Sequence, residues 1–244
     1  MVFSLRSIKV SLIVIFLFTL NFALAKEKKS QPIYELRGIL IRGGNGYIPK
    51  IEQLRKSGIT FKDLLVPDES TLYLEMEKYL SHPVSMDLLD SMKQTIVHHY
   101  QSNGYPIVGV VIPEQDVTDG YLVIEVIIGR LGTVHGEGVK YFSNEKIAAM
   151  IRTQPNEYIR SSRMAEDLDW INDNPFRSTQ LIYEPGSEPG QTNVSLVTKD
   201  RFPLKPYAGY QNTGNIIAGR SRYYAGIDWG NAWGIGHRIN YQWS

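Results

Sequence analysis

Three aspartates, Asp167, Asp169 and Asp173, fall within one short stretch, and carboxylates so close together could hold a divalent cation. Asp169 and Asp173 share one face of any helix there. No oxygen-rich, glycine-bent loop accompanies them, so a solvated helix face is the simpler reading. His98-His99 is a second candidate. Adjacent helical positions diverge by about 100° and cannot converge on one metal, so one buried and one solvated ring is expected. Gly43-Gly44-Asn45-Gly46 is too short and wrongly spaced for a dinucleotide turn. Asn193-Val194-Ser195 is a formal glycosylation sequon that overlaps a predicted strand. The commonest phosphate, zinc and acyl-transfer signatures, G-x-x-x-x-G-K-[ST], H-E-x-x-H and G-x-S-x-G, are missing. Cysteine is absent, which removes thiol nucleophiles, disulfides and cysteine zinc sites. The expectation is a protein that is not an enzyme, with no cofactor, no metal and no small-molecule substrate.

The 244 residues carry 26 Lys+Arg against 25 Asp+Glu, a net charge of +1. Neither a polybasic nucleic-acid tail nor an acidic solvating chain fits that balance, so no nucleic-acid partner is expected. Hydrophobic residues at 43% and charged residues at 21% are ordinary for a folded chain. Residues 1–25 read as a secretory signal. Arg6 and Lys9 precede an apolar run from Val10 to Leu20, and Ala23-Leu24-Ala25 is an A-x-A cleavage site. That run is too short to span a bilayer comfortably, which takes ~20 residues. Export without cysteine suits an oxidising compartment such as a periplasm.

The elements behind those residues fall into a repeated order. Ile33 to Ile41 predicts a strand, and residues 50–66 carry no clear period. Leu72, Met76, Tyr79 and Leu80 recur at helical spacing up to Pro83. Ser85 is placed to cap a second helix whose face is Leu89, Met92, Ile96 and Tyr100, with Asn103-Gly104 as its terminator. Ile107 to Ile112 and Tyr121 to Ile128 are β-branched runs around the turn Asp119-Gly120. The order then repeats. Leu131 to Val134 predicts a strand, Ser143 caps one helix and Ser161 or Ser162 another, and two strands follow, Ser178 to Tyr183 and Val194 to Lys199. Two β-α-α-β-β units in tandem form an internal repeat of architecture.

After Asp200 the texture changes. Tyr223, Ala225, Ile227 and Trp229 alternate with Arg222, Tyr224, Gly226 and Asp228, and Ile239, Tyr241 and Trp243 alternate with Arg238, Asn240 and Gln242. Strict alternation means one face meets an apolar phase. Tyr and Trp on that face suit an outer-membrane barrel strand, although a half-buried soluble meander has the same period. Turns are expected at Asn212-Thr213-Gly214-Asn215 and Asn231-Ala232-Trp233-Gly234.

Residues 97–131 resemble a family pattern, Y-x-x-x-G-Y, then P-x-Q, then G-x-L-x-(I/V)-x-V-x-x-G-R. It is met by Tyr100, Gly104, Tyr105, Pro113, Gln115, Gly120, Leu122, Ile124, Val126, Gly129 and Arg130. Leu168 to Arg177, with Pro185-Gly186 and Pro189-Gly190, is similar to the same family's W-L-N-x-N-P-x-R…P-G-x-x-P-G stretch. Tyr210 to Gly214, through Gly219-Arg220 to Gly234-Ile235-Gly236-His237, resembles the start of its barrel, with His237 where Asp is common. The family is the two-partner secretion transporters, the hemolysin secretion/activation proteins of the outer membrane. The resemblance implies an α+β chain: signal peptide 1–25, a first POTRA domain 26–130, a second POTRA domain 131–200, and the start of a transmembrane β-barrel at 201–244. About three antiparallel strands, at ~9–11 residues each, do not close a barrel, so an incomplete one is expected.

The implied function is capture of an unfolded secreted exoprotein by periplasmic POTRA domains, followed by passage through an outer-membrane barrel. Its partners would be that exoprotein and, for a complete barrel, outer-membrane lipid. The alternative is a soluble periplasmic POTRA-type binding or assembly module without a pore of its own. Capture needs an exposed strand edge. The second strand of a β-α-α-β-β POTRA fold lies at an edge, so the candidate site is Ile107, Val108, Gly109, Val110, Val111 and Ile112, with Ser178 to Tyr183 as its counterpart in the second domain.

Overall fold

The computed structural model describes residues 34–44, 57–212 and 221–244. The expected signal peptide at 1–25, Ile33, the end of the Gly43–Gly46 turn and most of the turn at 212–215 lie outside the described residues.

The first unit contains strands β1 (Gly38–Gly43) and β2 (Gly58–Lys62), helices α1 (Glu69–Glu77) and α2 (Met86–Ser102), and strands β3 (Val108–Val111) and β4 (Tyr121–Ile128). Its sheet runs β2-β1-β4-β3, with β1 parallel to both neighbours and β3 antiparallel to β4. Ser85 caps α2 as its spacing predicts, its Oγ accepting from the Leu88 N–H at 3.1 Å. Met92, Ile96 and Tyr100 then fall on one buried stripe, each worth about 1.5–3 kcal/mol on burial. Gly104 ends the helix at φ 85°, a conformation that favours glycine. The stripe meets Leu72 and Met76 of α1 and Ile39, Ile41, Leu122, Ile124 and Val126 of the sheet.

Two details of this unit correct the sequence reading. The opening strand begins at Gly38, and Tyr34 to Arg37, which the predicted span includes, lie outside it. The order is β-β-α-α-β-β, because β2 occupies part of the stretch that showed no period. Only Ile59 and Phe61 of β2 reach the core; two apolar residues in five are too few to stand out from a polar surround.

The second unit contains β5 (Arg130–Glu137), α3 (Asn144–Ala148), α4 (Ser161–Asn172), β6 (Arg177–Pro185) and β7 (Gln191–Asp200), in the sheet order β5-β7-β6. Here β5 lies parallel to β7 and β6 antiparallel to it. Leu131, Ile147, Ile151, Met164, Ile171, Val194 and Leu196 form a separate core. Ser143 caps α3, its Oγ accepting from the Lys146 N–H. Neither Ser161 nor Ser162 caps α4: the N-cap is Arg160, with no side-chain bond. The reason is tertiary. Ser161 N–H donates to Gly104 O of the first unit at 3.0 Å, so the helix start is fixed by the contact between units.

The third sheet is an antiparallel meander of β8 (Leu204–Gln211), β9 (Arg222–Ala232) and β10 (His237–Trp243). Its register aligns Leu204, Trp229 and Ile239, then Pro206, Ile227 and Tyr241, then Ala208, Ala225 and Trp243. That places every apolar residue of the predicted alternation on one face. This face is the exposed one: Tyr223, Tyr241 and Trp243 are 67%, 64% and 66% exposed. Asp228 on the opposite face is buried and takes a two-point ion pair from Arg238 at 2.8 and 2.9 Å. A soluble meander would bury the other side. Among the described residues the sheet has two free outer strands and no barrel is closed. No described helix is long and apolar enough to cross a membrane.

Candidate polypeptide-binding edges

The predicted site lies where the resemblance places it, on an edge of the first sheet. Val108 to Val111 are strand β3, and β4 is their one strand partner among the described residues. Ile107 and Ile112 lie just outside the strand, which is shorter than the β-branched run suggests. Val108, Val110 and Ile112 pack on the first core, while Ile107 packs against the second. Gly109 and Val111 face solvent. Ile107 thus belongs to the contact between units, and the edge proper is four residues long.

The register tells which main-chain groups are free. Gly129 N–H donates to Ile107 O at 2.8 Å, and those residues are directly opposed by extension of the β3–β4 register. Hydrogen-bonded pairs alternate along an antiparallel ladder. Gly109 and Val111 therefore bond inward to Ile127 and Glu125, while Val108 and Val110 turn N–H and C=O to the open side. The ladder would continue at Pro113 opposite Val123, but proline has no N–H. The Gln115 carboxamide takes its place, accepting from Val123 N–H and donating to Val123 O, both at 2.8 Å.

The second edge is β6, which pairs with β7 alone among the described residues. Gly186 N–H donates to Gln191 O at 2.9 Å, so by the same alternation Thr179, Leu181 and Tyr183 face outward. Thr179 is already occupied: its N–H donates to Asn172 Oδ1 at 2.7 Å and its carbonyl accepts from Asn172 Nδ2 at 3.0 Å. Ile182 is exposed, and Leu181 and Tyr183 lean on the second core. Burial pushes the Tyr183 hydroxyl above its ordinary pKa.

The family-pattern residues are mostly scaffold for these edges. Tyr100 is fully buried and donates to Leu65 O at 2.8 Å. Tyr105 lies edge-on between Tyr100 and Tyr158, and Arg160 sits over its ring at 4.5 Å. Arg130 sits over Tyr158 at 4.6 Å, and Ile159 N–H donates to Gly129 O. Together they join the two units. The second block joins the second unit to the third sheet. Asn174 donates to Gly230 O at 2.6 Å, Phe176 fills the space above Gly230, and Arg201 donates to Pro175 O at 2.8 Å. From the other side, Lys146 donates to Gly234 O and Asn231 to Tyr141 O. A cleft of about 290 Å³ remains between them, lined by Met150, Trp170, Asp173, Arg177, Ile235 and Arg238.

The residues first weighed for chemistry divide as follows. His99 is buried with Nε2 at 2.6 Å from Pro67 O, and His98 is exposed. The solvated face expected for the three aspartates is wrong for Asp167. It is buried, accepts from Arg152 N–H at 2.9 Å and pairs with the Arg152 guanidinium. Its partner lies in the loop before α4, beyond any helical spacing. No cluster of metal-ligating side chains occurs among the described residues. Sequence reasoning missed the strand-like amides of Gln115 and Asn172. Pro113 two residues before Gln115 was the one available signal, since it opens a gap in the ladder.

Residues 55–129 match the family "POTRA domain, ShlB-type". The chain carries a ShlB-type POTRA domain. It is 25% identical over 166 residues to the heme/hemopexin transporter protein HuxB of Haemophilus influenzae, covering 67% of this chain and 29% of HuxB. It is 22% identical over 161 residues to the outer membrane transporter CdiB of Dickeya dadantii, covering 64% of this chain and 28% of that one. In fold it is similar to CdiB from Escherichia coli, with a TM-score of 0.66 at 16% identity, over 89% of this chain and 37% of that one. The chain spans less than a third of the length of the curated relatives it matches.

Proposed function

We propose that this chain takes up an unfolded secreted polypeptide on the edges of periplasmic POTRA domains, 26–130 and 131–200, and passes it to a β-barrel of the outer membrane that begins at 201–244. The carrying observation is the β3 edge, where Val108 and Val110 offer free main-chain donors and acceptors beside a packed sheet. An extended segment added there gains hydrogen bonds without needing a particular sequence, as transport of an unfolded client requires. HuxB and CdiB are named as transporters, and the same role is inferred here, with a secreted protein as cargo. No cofactor or catalytic group enters the process.

The alternative of a soluble module is disfavoured by the third sheet. It turns Tyr223, Ile227, Tyr241 and Trp243 outward while shielding Asp228, the arrangement of a lipid-facing strand set.

The test exploits the alternation. Val110→Pro removes an outward N–H and leaves the inner ladder whole; Gly109→Pro removes a bond inside the sheet. Titrating a labelled, unfolded N-terminal fragment of the secreted partner should show binding lost in Val110→Pro with circular dichroism unchanged. Gly109→Pro should lose the fold. Unchanged binding by a folded Val110→Pro protein would remove β3 as the capture edge. Fractionation with and without residues 201–244 tests the membrane half, since only the longer chain should sediment with outer membranes.

A further inference from the structure

Asn172 makes two hydrogen bonds of an unusual kind. It is the last residue of α4, and its single carboxamide accepts from Thr179 N–H at 2.7 Å and donates to Thr179 O at 3.0 Å. Thr179 is one of the β6 residues whose main chain faces away from β7. The amide therefore does there what the peptide group of a neighbouring strand would do. Gln115 makes the same pair of bonds to Val123, but on the inner side, where β3 has run out and the sheet needs completing. Asn172 completes nothing within the sheet. It occupies the outward position that follows Arg177, whose N–H already donates to Asn174 O at 3.2 Å, and past Thr179 no further strand pairs with the outward side of β6 among the described residues.

Its placement is firm. Ile171 beneath it is fully buried, and Arg177 Nε donates to Ile171 O at 2.7 Å, which ties the helix end to the start of β6. Beyond Thr179 the outward groups of Leu181 and Tyr183 follow, and at Pro185 the outward position has no N–H to give. The open stretch is thus bounded by an amide at one end and a proline at the other.

We propose that the Asn172 carboxamide is a register stop: an extended polypeptide pairs with β6 at Leu181 and Tyr183 and is turned away from Thr179. This rests on the reading that the strand edges take up extended segments. It adds a register to that reading, since a bound segment can shift along β6 no further than the amide allows. Asparagine suits the role because one planar group must both donate and accept, which a carboxylate cannot do.

The test is amide hydrogen exchange on the full chain in detergent micelles. The probe is a peptide of alternating Thr and Val with Lys at each end. In the free protein the Thr179 amide should exchange slowly and those of Leu181 and Tyr183 quickly. The peptide should protect Leu181 and Tyr183 and leave Thr179 unchanged. Asn172→Ala should extend peptide protection to Thr179 and lower the Kd about three- to tenfold, the weight of one added peptide position. Leu181→Pro should abolish protection along β6 with circular dichroism preserved. A peptide that leaves β6 unprotected, or a folded Asn172→Ala protein with unchanged register and affinity, would overturn the proposal. If Asn172→Ala fails to fold, the wild-type exchange pattern decides by itself: rapid exchange at Thr179 in the free protein overturns the stop. Protection at Val108 and Val110 alone would leave the capture reading standing and remove the register stop. Protection at neither edge would remove both.

Discussion

Glu125 and Arg42 face each other across the parallel pair β1–β4, and their side chains form an ion pair almost out of water. Truncating one partner leaves a buried charge, so Glu125→Ala should cost about 3–5 kcal/mol in denaturant unfolding. Replacing both by Leu should recover much of that loss. Gln115→Ala strands the main-chain groups of Val123 and should cost about 1–3 kcal/mol, with no effect on the second unit's melting. Tyr100 carries a pH prediction. Burial raises its pKa well above the usual tyrosine value, with Tyr105 and Tyr158 adding to the rise. The folded state therefore holds a proton that the unfolded state releases above about pH 10. Stability should be level through neutral pH and fall as the pH rises past that point. Tyr100→Phe should flatten the fall, leaving the smaller part due to Tyr183. These residues also mark the reach of sequence. Tyr100 is legible as a core position because its own helix supplies the period. Asp167 and Asn172 are not, because the groups that bind them, Arg152 and Thr179, are brought near by loops and not by a repeat.

Elements with their own boundary signals are the ones legible from residues. Ser85 and Gly104 bracket α2, and Asp119-Gly120 opens β4, whose predicted span Tyr121–Ile128 is the observed one. Where neighbours set the boundary, prediction fails: α4 starts at Ser161 because Gly104 O receives its N–H. The two cases are separable by mutation. Ser85→Ala should destabilise the first unit by about 1 kcal/mol. Ser162→Ala should change melting by less than about 0.5 kcal/mol, since its side chain caps nothing. The candidate edge was legible only through resemblance. The β-branched run 107–112 indicates a strand, but nothing in those residues says that it is an outer one. That position follows from the order β2-β1-β4-β3, in which β1 pairs with a strand about eighty residues on.

Two sheets with separate cores and a third that turns its apolar face outward make a molecule of unequal parts. The third sheet is held to the second unit through Asn174, Phe176, Arg201, Lys146 and Asn231. Phe176→Ala with Asn174→Ala should release it, seen as earlier proteolysis within 201–244 while fragments carrying the first two sheets persist. Cleavage inside α2 or β4 first would contradict that partition. Ile227→Asp with Tyr241→Asp places charge on the outward face. Association with outer-membrane vesicles should fall, while unfolding of the first unit should be unaffected.

The parallel pairing of β1 with β4 has a consequence in time. As the chain emerges from its N terminus, the central strand β1 has only the short edge strand β2 to meet until Tyr121–Ile128 has followed. Likewise β5 waits for β7. The meander β8–β9–β10 needs only short-range pairings, which close fastest. The last strands to appear can thus zip together soon after they emerge. The sheet begun first stays open for about a third of the length of the chain, and during that interval its Ile39, Leu40 and Ile41 are exposed to whatever hydrophobic surface is nearby. Slowing the arrival of residues 121–128 should therefore raise aggregation more than slowing residues 237–243.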